Sequence, residues 1–200
     1  KVDLLIGAST VKIFDTKQSV ASTPIPNTSQ WYESYNSSVL LTKKEAPQYA
    51  HKSKLVPGVE LVPFSAYLPF LSALAIENGG TSGTLGVEKE PKTLQIPVPT
   101  YGSGKSFTGN KHNEIFSLAP IICYESIYGD FVRQQVQKGA QVLCILTNDG
   151  WWGNTPGYKQ HFSFARLRAI ETRRWVLRSA NTGISGSIDP SGKIIKKTAY

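Results

Sequence analysis

Four segments between Leu118 and Trp175 alternate between strand and helix patterns, and this alternation constrains the fold more than any other feature of the 200 residues. Leu118 to Cys123 and Gln141 to Thr147 are mostly apolar runs of strand length. Between them Ile127, Phe131, Val132 and Val136 recur at helical spacing, which predicts a helix over Ile127 to Gln137 stopped by Gly139. Gln160 to Trp175 is a second helix pattern. Strands follow at Val176 to Ser179, Gly183 to Ile188 and Lys193 to Lys196, the last two joined by a tight turn at Asp189-Pro190-Ser191-Gly192. Strand–helix–strand–helix followed by a meander predicts an α/β fold with a mixed sheet.

The first half of the chain is less regular. Val2 to Gly7 reads as a strand from a sheet covered on both faces, and residues 14–34 as a polar loop. Tyr35 to Leu41 reads as a strand, and Tyr49 to Lys52 begins another element. Residues 66–77 have a helical pattern interrupted by Pro69. Residues 78–113 form a long Gly/Pro/Thr/Lys stretch with one candidate strand at Thr93 to Val98, the pattern of a loop or lid. Ile115 to Ser117 is a further short strand. The length suits a single domain over residues 1–200. The chain lacks methionine and begins with Lys1, which predicts a piece of a longer protein.

Composition narrows the function classes. Three scattered histidines and two cysteines give no spacing suited to a metal, and no cofactor is expected. Cys123 and Cys144 lie in separate strand-like segments, which reads as two free thiols; one structural disulfide is the alternative. The net charge of +8 gathers at Arg166, Arg168, Arg173, Arg174 and Arg178 and at Lys193, Lys196 and Lys197. A solvated basic face is the simplest reading. With no nucleic-acid-binding motif, a membrane surface is the better functional partner. The uncharged run Leu61 to Ile76 is too short to span a bilayer comfortably and is broken by Pro63 and Pro69. Gly102-Ser103-Gly104-Lys105-Ser106 imitates a phosphate loop, but Pro99 occupies the first glycine position and no helix pattern follows.

Chemistry converges on Cys123. It ends a strand just before a helix pattern, where exposure and helix polarity favour a thiolate. Position alone is equally compatible with a small buried hydrophobe.

Three segments together resemble the carbon–nitrogen hydrolase (nitrilase) superfamily: Tyr49-Ala50-His51-Lys52-Ser53-Lys54-Leu55-Val56-Pro57, Glu60 eight residues beyond Lys52, and Cys123-Tyr124-Glu125. The resemblance implies an αββα sandwich, incomplete at both ends of this chain. It also implies Cys123 as nucleophile, Lys52 as oxyanion stabiliser, Glu60 and Glu125 holding Lys52 or moving protons, and Tyr124 beside the acyl group. Asn148-Asp149-Gly150-Trp151-Trp152-Gly153, Gln160-His161-Phe162, Ala165-Arg166-x-Arg168-Ala169-x-Glu171 and Arg178-Ser179-Ala180-Asn181-Thr182-Gly183 are similar to the apolipoprotein N-acyltransferase branch. That branch implies an acyltransferase working through a cysteine thioester at the outer, periplasmic face of the bacterial inner membrane. Its partners are a phospholipid acyl donor, a diacylglyceryl-modified apolipoprotein and the membrane surface, without nucleic acid.

Two departures stand out. Pro57-Gly58-Val59-Glu60 replaces the usual Pro-Phe-Gly-Glu, which changes the local turn and keeps the spacing of the acid. Nothing corresponds to the family's general-base glutamate in a Pro-Glu-Thr segment, since Asp15, Glu33 and Glu45 follow no buried strand; the isolated chain is therefore expected to be inactive. Competing readings are a soluble amidase, a non-catalytic lipid- or partner-binding module, and a Cys–His hydrolase using His161.

Overall fold

In the second half of the chain, the runs Leu118 to Ile122 and Val142 to Thr147 are buried on both faces, so they read as continuous apolar segments rather than alternating ones. The computed structural model describes residues 2–43, 45–61, 84–97, 115–153 and 155–199. Its larger sheet contains β5 (Leu94–Pro97), β6 (Ile115–Ile122), β7 (Val142–Thr147), β8 (Trp175–Ala180), β9 (Gly186–Ile188) and β10 (Ile194–Lys197), in the order β10-β9-β8-β7-β6-β5. β6, β7 and β8 are parallel and the other pairings antiparallel, giving the mixed sheet expected. α1 (Gly129–Gln137) and α2 (Gly157–Thr172) supply the crossovers.

Alternate residues of these strands serve two cores. Ala119, Ile121, Leu143, Ile145 and Val176 pack with Phe131 and Val132 of α1 and with Phe162, Ala165 and Ala169 of α2. Leu118, Val142 and Cys144 face the other way, onto Leu40, Ala50 and Leu94. Leu40 and Ala50 belong to the smaller sheet, built from β1 (Leu4–Phe14), β2 (Thr23–Pro24), β3 (Trp31–Leu41) and β4 (Gln48–His51). The described layers are thus helix, sheet and sheet.

Several expectations are corrected. The first strand runs to Phe14 and pairs antiparallel with all of β3, from Leu4↔Leu41 to Phe14↔Trp31. It is not covered on both faces: Leu4, Val11 and Ile13 are half or more exposed. Residues 14–34 are not all loop, because β2 and the start of β3 lie there. Ile115 to Ser117 and the following strand are one element, β6. The helix over 127–137 is two pieces, a 3-10 turn at Cys123–Ile127 and α1, separated by Tyr128 in an extended conformation. The arginine stretch is not a uniformly solvated face: Arg168 and Arg178 are buried, because each finds partners inside the fold. Both cysteines are free. The helical pattern over 66–77, the run Leu61 to Ile76 beyond its first residue, and the 102–106 segment lie outside the described residues, as does most of 78–113. Inside that last stretch β5 forms where a strand is predicted.

Candidate active site

β6 and β7 run parallel and in register, with Ile122 opposite Leu146, so the chain emerges from both at one end of the sheet. Cys123 is the first residue past β6. Its φ of 50° is left-handed, which is unusual for a residue other than glycine. The 3-10 turn that follows redirects the chain at once. The thiol is left partly exposed at the wall of a cleft of about 560 Å³ with a mixed lining, polar at Asn36, Ser37, Glu60, Thr147, Asn148 and Asn181 and apolar at Leu5, Ile6, Ala8, Ile122, Leu146 and Trp151. On its other side Cys123 borders a second cavity of about 320 Å³, with Val56, Val59, Ile127, Trp151, Trp152 and Phe164. Tyr124 lines this apolar groove and meets Tyr128 edge-on, ring centres 5.4 Å apart.

Lys52 follows β4 and has no exposed surface. Its Nζ lies 2.8 and 2.7 Å from the two carboxylate oxygens of Glu60. Glu60 also accepts from Asn36 Nδ2 at 2.7 Å and from the Val56 amide at 2.8 Å. The altered turn makes this possible: Gly58 takes φ 83°, and the amides of Val59, Glu60 and Leu61 all return to the Val56 carbonyl. The spacing of Glu60 from Lys52 therefore survives the changed residues between them.

Glu125 ties the two halves of the site together. One oxygen accepts from the amides of Ser53 and Lys54, next to Lys52, at 2.6 and 3.3 Å. The other accepts from the Ile122 amide at 2.8 Å, at the end of β6. Burial pushes its carboxyl up to about 7, against the opposing pull of these N–H groups and of the Lys52 charge. It is not merely an acid in a first helical turn; it is a buried clasp between the lysine and cysteine segments.

A second buried set escaped the sequence reading. Asp149 is fully buried and contacts His161 Nδ1 at 2.8 Å and Arg178 Nη2 at 2.5 Å. Burial raises its carboxyl, but the His161 and Arg178 contacts outweigh this and hold it below the usual carboxylate range. His161 Nε2 lies 3.1 Å from the backbone oxygen of Cys123. Asn36, Asp149 and Arg178 carried no assigned role in the sequence, although Asp149 and Arg178 sit in its most recognisable motifs. Among the described residues no group of three His, Cys, Asp or Glu side chains could hold a metal ion.

The profile of the family described as carbon-nitrogen hydrolase matches residues 12–199. The chain belongs to the carbon–nitrogen hydrolase family. Its fold is the αββα sandwich of this family. Solved members align over most of the chain: Saccharomyces cerevisiae Nit3 covers 83% of this chain and 49% of its own, with TM-score 0.54 and 18% identity. An amidase from Nesterenkonia covers 82% and 51%, with TM-score 0.51 and 15% identity.

Within the carbon–nitrogen hydrolases, the chain is similar to proteins named apolipoprotein N-acyltransferase. That of Chlorobaculum tepidum is 37% identical over 170 residues, 84% of this chain and 30% of the relative. That of Agrobacterium fabrum is 41% identical over 146 residues, 71% and 24% respectively. The chain thus spans less than a third of the length of these curated relatives. No helix among the described residues is long and apolar enough to cross a membrane.

Proposed function

We propose that this chain is the acyl-transfer domain of an apolipoprotein N-acyltransferase, with Cys123 as the residue that carries the acyl group. One observation carries the reading: Cys123 lies between a cleft of mixed lining, where Asn36, Ser37, Asn148 and Asn181 can meet a carbonyl, and an apolar groove that can take a hydrocarbon tail. The similarity to proteins of that name supports it.

In this reading the acyl tail of a phospholipid lies along Trp151, Trp152 and Phe164, with its ester carbonyl at Cys123. The thiolate attacks that carbon and a C–S bond forms. The resulting oxyanion is stabilised by Lys52, whose ammonium is held in a dry setting by Glu60, where fixed charge is worth several kcal/mol. The thiol proton goes to a general-base carboxylate, the part the resemblance assigns to a Pro-Glu-Thr glutamate. It returns from there to the glyceryl alkoxide as the C–O bond breaks, leaving a thioester. The α-amine of a diacylglyceryl-cysteine then attacks the thioester. An amide bond forms, the C–S bond breaks, and an amine proton restores the thiol. Glu60 is occupied by Lys52, Asn36 and Val56, so its part is to hold the lysine. Glu125 holds the lysine segment against the turn that bears Cys123, and Tyr124 borders the acyl chain. The setting is the outer face of the bacterial inner membrane.

Intact-mass analysis of the full-length protein after incubation with a diacyl phospholipid in mixed micelles tests the reading. The expected result is one acyl mass on Cys123, released by neutral hydroxylamine and absent in Cys123→Ser. Absence of that adduct, with release of ammonia from short amides, would support an amidase instead.

A further inference from the structure

Three elements remote in sequence act on one carbonyl through a single histidine. His161 comes from α2, Asp149 follows β7, and Arg178 lies in β8, yet all three side chains are buried in one connected set beneath Cys123. Thr147 Oγ1 donates to the same Asp149 oxygen that His161 meets, at 3.0 Å, and Arg178 Nε donates to the Ile184 carbonyl at 3.1 Å. The set presents His161 Nε2 to the Cys123 carbonyl at 3.1 Å and to Ser126 Oγ at 2.9 Å. Ser126 spends its single hydroxyl proton on the Cys123 carbonyl, at 2.8 Å. Its oxygen can then only accept from the ring, so Nε2 carries a hydrogen and is the donor to this turn. The far end of the turn is held from the same helix, where Arg168 Nη1 donates to the Ile127 carbonyl at 3.2 Å.

A cysteine with φ 50° keeps that conformation only where its surroundings over-determine it. The Cys123 carbonyl is the atom through which they do so. We infer that His161, held by Asp149 and Arg178, is a positioning residue for Cys123: its Nε2–H fixes the carbonyl of the left-handed cysteine and so aims the thiol into the cleft. It does not take the thiol proton. The inference rests on the reading of Cys123 as the acyl-accepting nucleophile, and it deepens that reading by naming what aims the sulfur.

The test compares His161→Leu, His161→Gln and His161→Asn in the full-length protein. The Gln amide nitrogen reaches about the place of Nε2, the Asn nitrogen only that of Nδ1, and Leu offers no donor. Acyl-thioester formation from a diacyl phospholipid in mixed micelles is expected to fall about tenfold to a hundredfold in the Leu and Asn variants, the cost of a misplacement of about 1 Å. The Gln variant recovers most of the rate. Alkylation of Cys123 by iodoacetamide, which needs a thiol but no aim at a bound carbonyl, stays near the wild-type rate in all three.

Thioester formation at the wild-type rate in His161→Leu overturns the inference. So do equal rates in the Gln and Asn variants, a comparison that stands even if the Leu variant fails to fold. A loss of alkylation in step with acylation also overturns it, because His161 would then act on the proton. If the wild-type protein forms no thioester, the acyl-transfer reading fails. The positioning role is then read from amide hydrogen exchange over Cys123–Ile127: faster exchange in His161→Asn than in His161→Gln supports it, and equal exchange overturns it.

Discussion

Glu60 receives the Lys52 ammonium on both carboxylate oxygens, at 2.7 and 2.8 Å, in a place where the lysine has no contact with solvent. Such a pair is more expensive to break than to replace, because removing one partner strands the other charge in a poorly polarisable interior.

The two partners are unequally dependent. Glu60→Ala leaves a buried ammonium stripped of its carboxylate and is expected to cost about 3–5 kcal/mol. Lys52→Met leaves Glu60 with the Asn36 amide and the Val56 N–H and is expected to cost less. Urea denaturation of both variants checks the order; a larger loss for Lys52→Met would contradict this account of the site.

Glu125 makes stability depend on pH. Its carboxyl is raised to about 7 in the fold from an ordinary value of 4.5. Between those values the native state holds a proton that the unfolded chain has released. The contribution is therefore complete below about pH 4.5 and is lost as pH rises through about 7, amounting to about 3 kcal/mol at most. Unfolding free energies from pH 5 to 8 should show that decline in the wild type and a flatter profile in Glu125→Gln.

The two thiols should separate cleanly by reactivity. Burial pushes the Cys144 thiol up to about 11, and it is buried facing the core between the sheets, whereas Cys123 is partly exposed. Iodoacetamide at pH 8 is expected to add one carbamidomethyl group to the folded chain, at Cys123, and a second only after denaturation. Peptide mapping that finds Cys144 modified under native conditions would refute this.

Gly183 has φ 122°, and a Cβ there would meet the Asp149 carboxylate. Gly183→Ala should thus press on Asp149 and disturb the Asp149–His161–Arg178 set while leaving its three residues unsubstituted. The expected cost is about 1–3 kcal/mol in thermal or urea melts, together with slower thioester formation at Cys123. A melt and a rate equal to those of the wild type would mean that Asp149 has more freedom than its burial implies.

The parts of the fold legible in the sequence are those whose signals are local. Leu118 to Cys123 and Gln141 to Thr147 are apolar because both faces are covered, and the helix between them is written in Phe131, Val132 and Val136. Trp31 to Ser34 belong to a polar stretch and become strand through their partners in β1, which no local pattern records. The 3-10 turn and the left-handed Cys123 escaped because a helix beginning at Ile127 explains the same apolar spacing. At the candidate site, motif spacing proposes Lys52, Glu60, Cys123, Tyr124 and Glu125, and the structure brings their segments together. Arg178 looked like one of five surface arginines because its counter-charge, Asp149, lies 29 residues away in sequence. A buried ion pair between distant strands has no periodicity to betray it.

The in-register exit of β6 and β7 makes strand length as consequential as residue identity. Successive residues of a strand point to opposite faces. One extra residue within Ile115–Ile122 would exchange the faces of the residues beyond it and carry both Ile122 and Cys123 out of their places at the cleft wall. Insertions that a surface loop absorbs without effect would here disarm the molecule while leaving its fold recognisable.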